Sequence, residues 1–239
     1  MAEISEALIR SWLPRRPRDA HKGDFGRVLI LGGSVGYTGA PALAAKAALR
    51  SGAGLIFVGV PEAVYPILAA KLDEPMVFPL ACDGDGRLSE AALPAILDRL
   101  KACDAVLLGP GLGRSAALSR LIAGVLEACR VPLVLDADGI NGLDGHIDIL
   151  RGTSCPVVLT PHEGEFARLS DALDRSNRLD AAKELAEQSG AVVVLKGYRT
   201  LIAAPDGRVR FNTTGNPGMA TGGSGDVLAG ILTSFLGQG

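Results

Sequence analysis

The sequence predicts an α/β protein built on one mostly parallel sheet with helices on both faces. Three observations carry this. Short Val-, Ile- and Leu-rich runs alternate with longer segments of helical periodicity along nearly the whole chain. Several runs are continuously apolar, as in Val28–Leu31 and Ala105–Leu108, which is the pattern of strands buried on both faces. Composition agrees: 48% of residues are hydrophobic but only 4% are aromatic, so Ala, Leu, Val and Gly must build the core. With 239 residues, no linker, no composition shift and no internal repeat, the chain reads as one domain over residues 1–239, with residues 1–24 as an N-terminal lead-in.

The elements follow in order. Ala2 to Trp12 reads as a short helix, broken by Pro14 to Arg18, a basic stretch expected to be a solvated tail. Arg27 to Leu31 is the first clear strand. A glycine-rich turn, Gly32 to Gly39, leads to a helix from Pro41 to Ser51. Leu55 to Val60 is a strand, Pro61 to Lys71 a helix and Met76 to Leu80 a strand. Leu88 to Lys101 is amphipathic, Ala105 to Leu108 is a buried strand, and Ser115 to Cys129 is a helix after the Gly109 to Arg114 turn. Strands at Leu133 to Leu135 and Val157 to Thr160 are each followed by polar turns, Asp136 to Asn141 and Pro161 to Phe166. Asn177 to Gln188 is a helix stopped by Gly190, and Ala191 to Leu195 is a strand. Leu201 to Ala204 and Val209 to Phe211 flank Pro205 to Arg208 as a β-hairpin.

The most informative stretch comes last. Four glycines (Gly218, Gly222, Gly223, Gly225) crowd in front of Asp226, and an apolar run of helical period follows from Val227 to Leu236. Gly222 to Gly225 is therefore expected to be the loop that opens a helix. Unpaired N–H groups and the positive end of the helix dipole favour an anion there, phosphate above all. Asp226 could serve only as a helix cap. The glycine density favours instead a phosphate loop with a working carboxylate held ionised. No Gly-Lys-Ser or Gly-Lys-Thr exists in the chain, so this is not the loop of P-loop enzymes.

Other signals exclude more than they assign. Net charge is −2 with both signs interspersed, which gives no nucleic-acid footprint and no membrane-surface patch. Cys82, Cys103, Cys129 and Cys155 are widely spaced, without paired histidines, and read as buried reduced thiols rather than a metal or disulfide site. Met1 to Asp24 lacks the apolar segment of a signal peptide, so a cytoplasmic location is expected. Gly33-x-x-Gly36-x-x-Gly39 does not have the Gly-x-Gly-x-x-Gly spacing of a dinucleotide-binding turn, and the following strand ends without the expected acidic ribose ligand. Asp83 and Asp85 lack the further ligands of a calcium loop.

Several polar motifs follow strands, which in open α/β sheets places them along the ligand crevice. Taken in order, Lys22 to Ser34, Gly109 to Gly113, Leu135 to Asn141, Leu159 to Phe166, Leu195 to Gly197 and Gly222 to Asp226 resemble the ADP/ATP-dependent NAD(P)H-hydrate dehydratases, a branch of the ribokinase-like superfamily. The resemblance runs over nearly the whole chain from Lys22. It implies a ribokinase-like three-layer sandwich and a carbon–oxygen lyase that repairs hydrated NADH and NADPH of the S form, using ADP or ATP as phosphate donor with Mg²⁺. ADP is favoured by likeness to stand-alone bacterial-type members.

The resemblance also implies roles. Ala40, Gly113 and His162 would lie along the hydrate. Lys196, Gly197, Tyr198, Arg199 and Thr200 would hold the adenine nucleotide, with Gly222, Gly223, Ser224 and Gly225 at its phosphates. Asp226 would contact the hydrate's hydroxyl and act as the base. Glu165 would organise Mg²⁺ through water. A homo-oligomer is expected, with no nucleic-acid or membrane partner. Two departures stand out: Ser224 and Glu163 occupy places where the family more often has Thr and Pro, and the family usually continues with further helices beyond the position of Gly239. A fragment or an unusually short member is thus expected, with the apolar face of Val227 to Leu236 lacking its usual partners. The epimerase domain that some relatives carry ahead of this one is not expected here.

The bland alternatives remain beside these roles. His162 is as well explained as a cap for the helix it precedes. Lys196 could be a surface charge, although a Lys-Gly directly after a buried strand is less often that. Asp136 and Asp138 are better explained as acceptors that order their turn than as catalysts. For the whole chain, a vitamin-alcohol kinase of the same superfamily is the runner-up, followed by an inactive nucleotide sensor and a dinucleotide-dependent oxidoreductase.

Overall fold

The computed structural model describes residues 1–13, 15–143, 145–169 and 176–239. It is organised around a ten-stranded sheet. The strands are β1 (Ala2–Glu3), β2 (Arg27–Leu31), β3 (Leu55–Pro61), β4 (Met76–Leu80), β5 (Ala105–Leu108), β6 (Leu133–Leu135), β7 (Val157–Leu159), β8 (Val192–Leu195), β9 (Leu201–Ala203) and β10 (Val209–Phe211). Their spatial order is β1-β10-β9-β8-β7-β6-β5-β2-β3-β4. From β8 to β4 every neighbouring pair is parallel. The β9–β10 hairpin is antiparallel and continues the sheet from β8.

Successive side chains of a strand point to opposite faces, and both faces are filled. On one, Leu29, Leu31, Val106, Leu108, Leu133, Leu135 and Leu159 pack against the helices α4 (Leu93–Leu100), α5 (Ala116–Ala128) and α8 (Arg178–Ser189). On the other, Val28, Ile30, Val58, Leu107 and Val134 pack against α2 (Gly39–Arg50), α3 (Tyr65–Lys71) and α9 (Ser224–Gln238). The expected three-layer α/β architecture is the one observed.

The scarcity of aromatic residues has a direct consequence where α2 crosses α9. Ala44, Ala45, Ala48 and Ala229 are buried there. A Cβ on Gly230 would collide with the carbonyl oxygen of Ala44. Small residues thus let two backbones touch, and this contact fixes where the N-terminus of α9 sits.

The N-terminal segment departs from expectation. Ala2 and Glu3 are not helical: they pair in parallel with Arg210 and Phe211 at the sheet edge. The helix α1 (Glu6–Trp12) starts only after Ser5, whose hydroxyl accepts the Leu8 N–H. A free sheet edge offers unpaired backbone groups, and that gain outweighs helix propensity over two residues. Pro14, the expected breaker, lies outside the described residues. The basic stretch is not simply a solvated tail either. Arg16 donates to Gly52 O and Gln238 Oε1 and stacks on the Phe25 ring at 3.7 Å.

The Cys82–Gly86 turn is closed by Asp83, which accepts the Asp85 and Arg87 N–H groups and pairs with the Arg87 guanidinium. Its carboxyl is thereby held below the usual carboxylate range, chiefly by the Arg87 N–H. All four cysteines are free thiols, but only Cys103, Cys129 and Cys155 are buried: Cys82, at the start of its turn, is half-buried, against expectation. Among the described residues no helix is long and apolar enough to cross a membrane.

Candidate active site

The strand order changes direction between β2 and β5: β3 and β4 follow on one side, β6 to β8 on the other. Two adjacent parallel strands whose chains leave in opposite directions open a crevice at their carboxyl ends. The turns after β2 and β5 line it and are locked together. Gly33 N–H donates to Pro110 O at 2.8 Å, and the Ser34 hydroxyl to Gly111 O at 2.8 Å. A Cβ on Gly111 would lie 3.2 Å from that of Ala40. A Cβ on Gly113 would lie 3.9 Å from Ser34 Oγ, so Ala40, at the start of α2, and Gly113 both belong to the wall that these two turns form.

The turn after β6 closes against the turn after β5. Asp138 opens the short helix α6 (Asp138–Asn141), and its Oδ2 accepts the Gly113 N–H at 2.8 Å. That is the turn-ordering role expected of it, exercised on a neighbouring turn. Asp136 behaves differently. It is buried, and its Oδ1 accepts the Thr160 hydroxyl at 2.6 Å and the Lys196 ammonium at 3.0 Å. Its side chain spans three strand ends rather than capping its own turn, so the expectation for Asp136 is corrected. Ala137 beside it has φ +49°, an uncommon conformation for a residue with a Cβ.

Lys196 follows β8 and is largely buried, with a side chain 19% exposed. Its Nζ lies 3.0 Å from Asp136 and 3.7 Å from Glu165 Oε2. It is not a surface charge. The rest of its segment, Gly197 to Thr200, forms the β8–β9 turn, held from below by Arg178, which donates to Lys196 O and Tyr198 O. Tyr198 is 86% exposed, and the Arg199 guanidinium stands 5.7 Å from its ring centre.

Glu165 and His162 belong to the start of α7 (Glu163–Leu169). The ring Nδ1 of His162 accepts the Gly164 and Glu165 N–H groups, while Glu165 Oε2 accepts the His162 N–H at 2.9 Å. This is a reciprocal helix cap. The imidazole keeps Nε2 for other work, 3.4 Å from Glu165 Oε1.

The glycine loop meets this cluster from the opposite face. Helix α9 opens at Ser224, three residues before the expected run from Val227, with Gly223 as its cap at φ +92°. A side chain at Gly223 would be strained at that φ and would press on Leu43. Ser224 uses its hydroxyl to hold Met219 O at 2.7 Å. Asp226 is thus in the first turn, where the leading N–H groups have no partner within the helix. A Cβ on Gly225 would sit 3.4 Å from Lys196 Nζ, so the missing side chain lets the loop approach the ammonium.

Asp226 is not held ionised as strongly as expected. Burial first, then the Asp136 carboxylate and, less, Glu165 push its carboxyl up to about 6, and Lys196 only partly opposes them. Three carboxyl groups converge on one ammonium. Such a site lacks positive charge and suits an incoming cation or proton. The structure thus brings Glu165, Lys196, Gly225 and Asp226 together, with Ala40 and Gly113 on the adjoining wall and Gly197 to Thr200 on the opposite flank. Asp136 and Thr160 fall in motifs expected along the crevice but were given no part in the cluster from sequence, and Arg178 was not singled out at all. A polar residue directly after a buried strand is the one signal that marks Thr160 and Asp136.

The profile of a family described as NAD(P)H-hydrate dehydratase matches residues 28–239. The chain is 49% identical to the bifunctional NAD(P)H-hydrate repair enzyme Nnr of Moorella thermoacetica, over 99% of this chain but 45% of that protein. It therefore spans about half the length of the bifunctional relatives it matches. It is 35% identical to the ADP-dependent (S)-NAD(P)H-hydrate dehydratase of Lactiplantibacillus plantarum, over 100% of this chain and 82% of the relative. Its fold superposes on the crystal structure of the ADP/ATP-dependent NAD(P)H-hydrate dehydratase from Bacillus subtilis, co-crystallised with ATP/Mg²⁺. The TM-score is 0.80 at 33% identity, covering 98% of this chain and 80% of the other. With its strand order, its crevice and a match over most of its length, the chain belongs to the NAD(P)H-hydrate dehydratase family, on a ribokinase-like fold.

Proposed function

We propose that this chain dehydrates the S form of hydrated NADH and NADPH at the expense of ADP or ATP. The observation that carries the reading is the convergence of Asp226, at the head of a glycine-opened helix, with Lys196 on a buried carboxylate. Similarity over this whole chain, and over 82% of a relative named as ADP-dependent, supports ADP as a donor.

Hydroxide is a poor leaving group from the hydrated ring, and phosphate is a good one. The substrate hydroxyl attacks the terminal phosphoryl group of the nucleotide, and Asp226 accepts the hydroxyl proton. The ring nitrogen's lone pair then expels phosphate, and loss of a ring proton restores the dihydronicotinamide. The products are NAD(P)H, phosphate, and AMP or ADP.

Phosphoryl transfer asks chiefly for positioning and charge stabilisation. The first-turn N–H groups of α9, with Gly222, Gly223, Ser224 and Gly225 around them, would cradle the transferred group. Lys196 would reach its oxygens, and Gly197, Tyr198, Arg199 and Thr200 would hold the rest of the nucleotide. Ala40, Gly113 and His162 Nε2 would bound the hydrate. Glu165 suits Mg²⁺ as an oxygen donor acting through water, since its Oε2 accepts the His162 N–H and lies 3.7 Å from Lys196 Nζ, and its Oε1 lies 3.4 Å from His162 Nε2. When bound, Mg²⁺ supplies neutralisation of phosphate charge.

The test is to incubate the protein with hydrated NADH, Mg²⁺ and either ADP or ATP while following near-ultraviolet absorbance. A nucleotide-dependent rise with release of phosphate is expected. A stable phosphoester without recovered NADH would make the protein a kinase instead. Asp226→Asn should lower turnover by roughly 10²–10⁴-fold, the range for loss of a general base.

A further inference from the structure

A cavity of about 330 Å³ adjoins the site on the side away from the nucleotide-binding turn. It lies between the start of α5, α6 and α7, and its walls include Gly113, Arg114, Ile140, Glu165, Arg168 and Leu169. Gly113 and Glu165 belong also to the crevice, so the cavity continues it. Its volume is at the small end for ligand pockets, enough for part of a dinucleotide and not for the whole.

Its charges are unequal in availability. Glu165 is engaged with the His162 N–H and Lys196. Asp138 nearby has one oxygen on the Gly113 N–H and the other on Asn141 Nδ2 at 3.1 Å. Arg114 Nε is 3.8 Å from Asp138 Oδ1, a loose pairing, and its side chain is 58% exposed. Arg168 donates through Nε to Asn141 Oδ1 at 3.1 Å. Asn141 thus ties Arg168 to Asp138, and both guanidinium groups border one recess.

We infer that this recess is the subsite for the diphosphate of the dinucleotide hydrate, held by Arg114 and Arg168. The inference rests on the dehydratase reading. Guanidinium groups match phosphate oxygens in geometry as well as charge. Anchoring the diphosphate here sets the hydrated ring against Asp226, so binding energy far from the reacting hydroxyl orients it.

The test is R114Q/R168Q, assayed with three substrates: hydrated NADH, hydrated NADPH and the hydrate of dihydronicotinamide riboside, which has no phosphate. A rise of about 10- to 100-fold in KM is expected for both dinucleotides, as for loss of charged hydrogen bonds. KM for the riboside hydrate and for ADP should not change. Equal losses on riboside and dinucleotide would mark a merely structural role and overturn the assignment. So would unchanged KM values, or a loss on hydrated NADPH alone, which would point to its ribose phosphate. If the parent protein dehydrates none of the three, the dehydratase reading fails, and NADP⁺ titration under saturating ADP decides the subsite separately. Weaker binding by R114Q/R168Q supports it; equal affinity, or no binding by the parent protein, overturns it.

Discussion

The Lys196 ammonium lies 3.0 Å from the Asp136 carboxylate, joining the end of β8 to the end of β6 across the intervening β7. Thr160, at the end of β7, donates to the same oxygen. A buried ion pair of this kind is worth little against apolar packing but is costly to break from one side. Lys196→Met should therefore destabilise the protein by about 3 kcal/mol, because Asp136 keeps a buried charge. Adding Asp136→Asn should recover much of that loss without recovering activity. Urea unfolding of the two single variants and the double variant, analysed as a cycle, measures both.

Asp226 makes a second prediction with a definite sign. Its carboxyl is pushed up to about 6 from an ordinary value of 3.8. The folded protein therefore holds this proton more tightly than the unfolded chain. The stability so gained is complete below pH 4 and is lost as pH rises through 6. Asp226→Asn removes the charge. It should stabilise the ligand-free protein at pH 7.5 by about 1–2 kcal/mol after solvent screening, and by almost nothing at pH 4. Denaturant midpoints at the two pH values check this.

The same shift governs activity. An acceptor of the hydroxyl proton must be ionised, so kcat/KM should fall on the acid side of an apparent pKa of about 6. A pH profile of kcat/KM, run at constant ionic strength, tests it. An acid limb near 4 would remove Asp226 from that role.

Gly223 is held at φ +92° against Leu43. Gly223→Ala should cost about 1–3 kcal/mol in stability through backbone strain and local crowding. The first turn of α9 would shift, so ADP affinity, measured by calorimetry, should fall with it.

At the α2–α9 crossing, Gly230→Val would force a side chain into the Ala44 carbonyl. A loss of about 1–3 kcal/mol or more is expected, the usual cost of overpacking. Thermal unfolding of this variant beside Gly237→Ala, where a Cβ would meet only Val28 and Ala105 at 3.2 and 3.5 Å, separates crowding against backbone from crowding against side chains.

Much of this was legible from the chain alone. The apolar runs of β2, β5 and β8 mark buried parallel strands because no other arrangement hides both faces of such a run. The glycines before Asp226 mark a ligand-approaching turn because a bare backbone turns tightly and comes close to a ligand; of the four, Gly223 is the one that takes a left-handed φ. What could not be read is which strand ends become neighbours. Asp136 and Lys196 are far apart in sequence, and each alone is an ordinary polar residue after a strand. For the same reason the edge pairing of Ala2 and Glu3 was missed: its partner strand lies at the other end of the chain.

The sequence by itself determined the α/β class, the site of the glycine loop and the candidate base, since each depends on local periodicity and backbone freedom. Only the tertiary structure decided that β2 and β5 lie side by side, that Asp136 turns from its own loop to Lys196, and that Asp226 meets more negative charge than positive. These depend on distances between remote residues. Charge interactions grow steeply as groups leave water and approach within a few ångströms, so the character of each carboxylate was set by its neighbours in space.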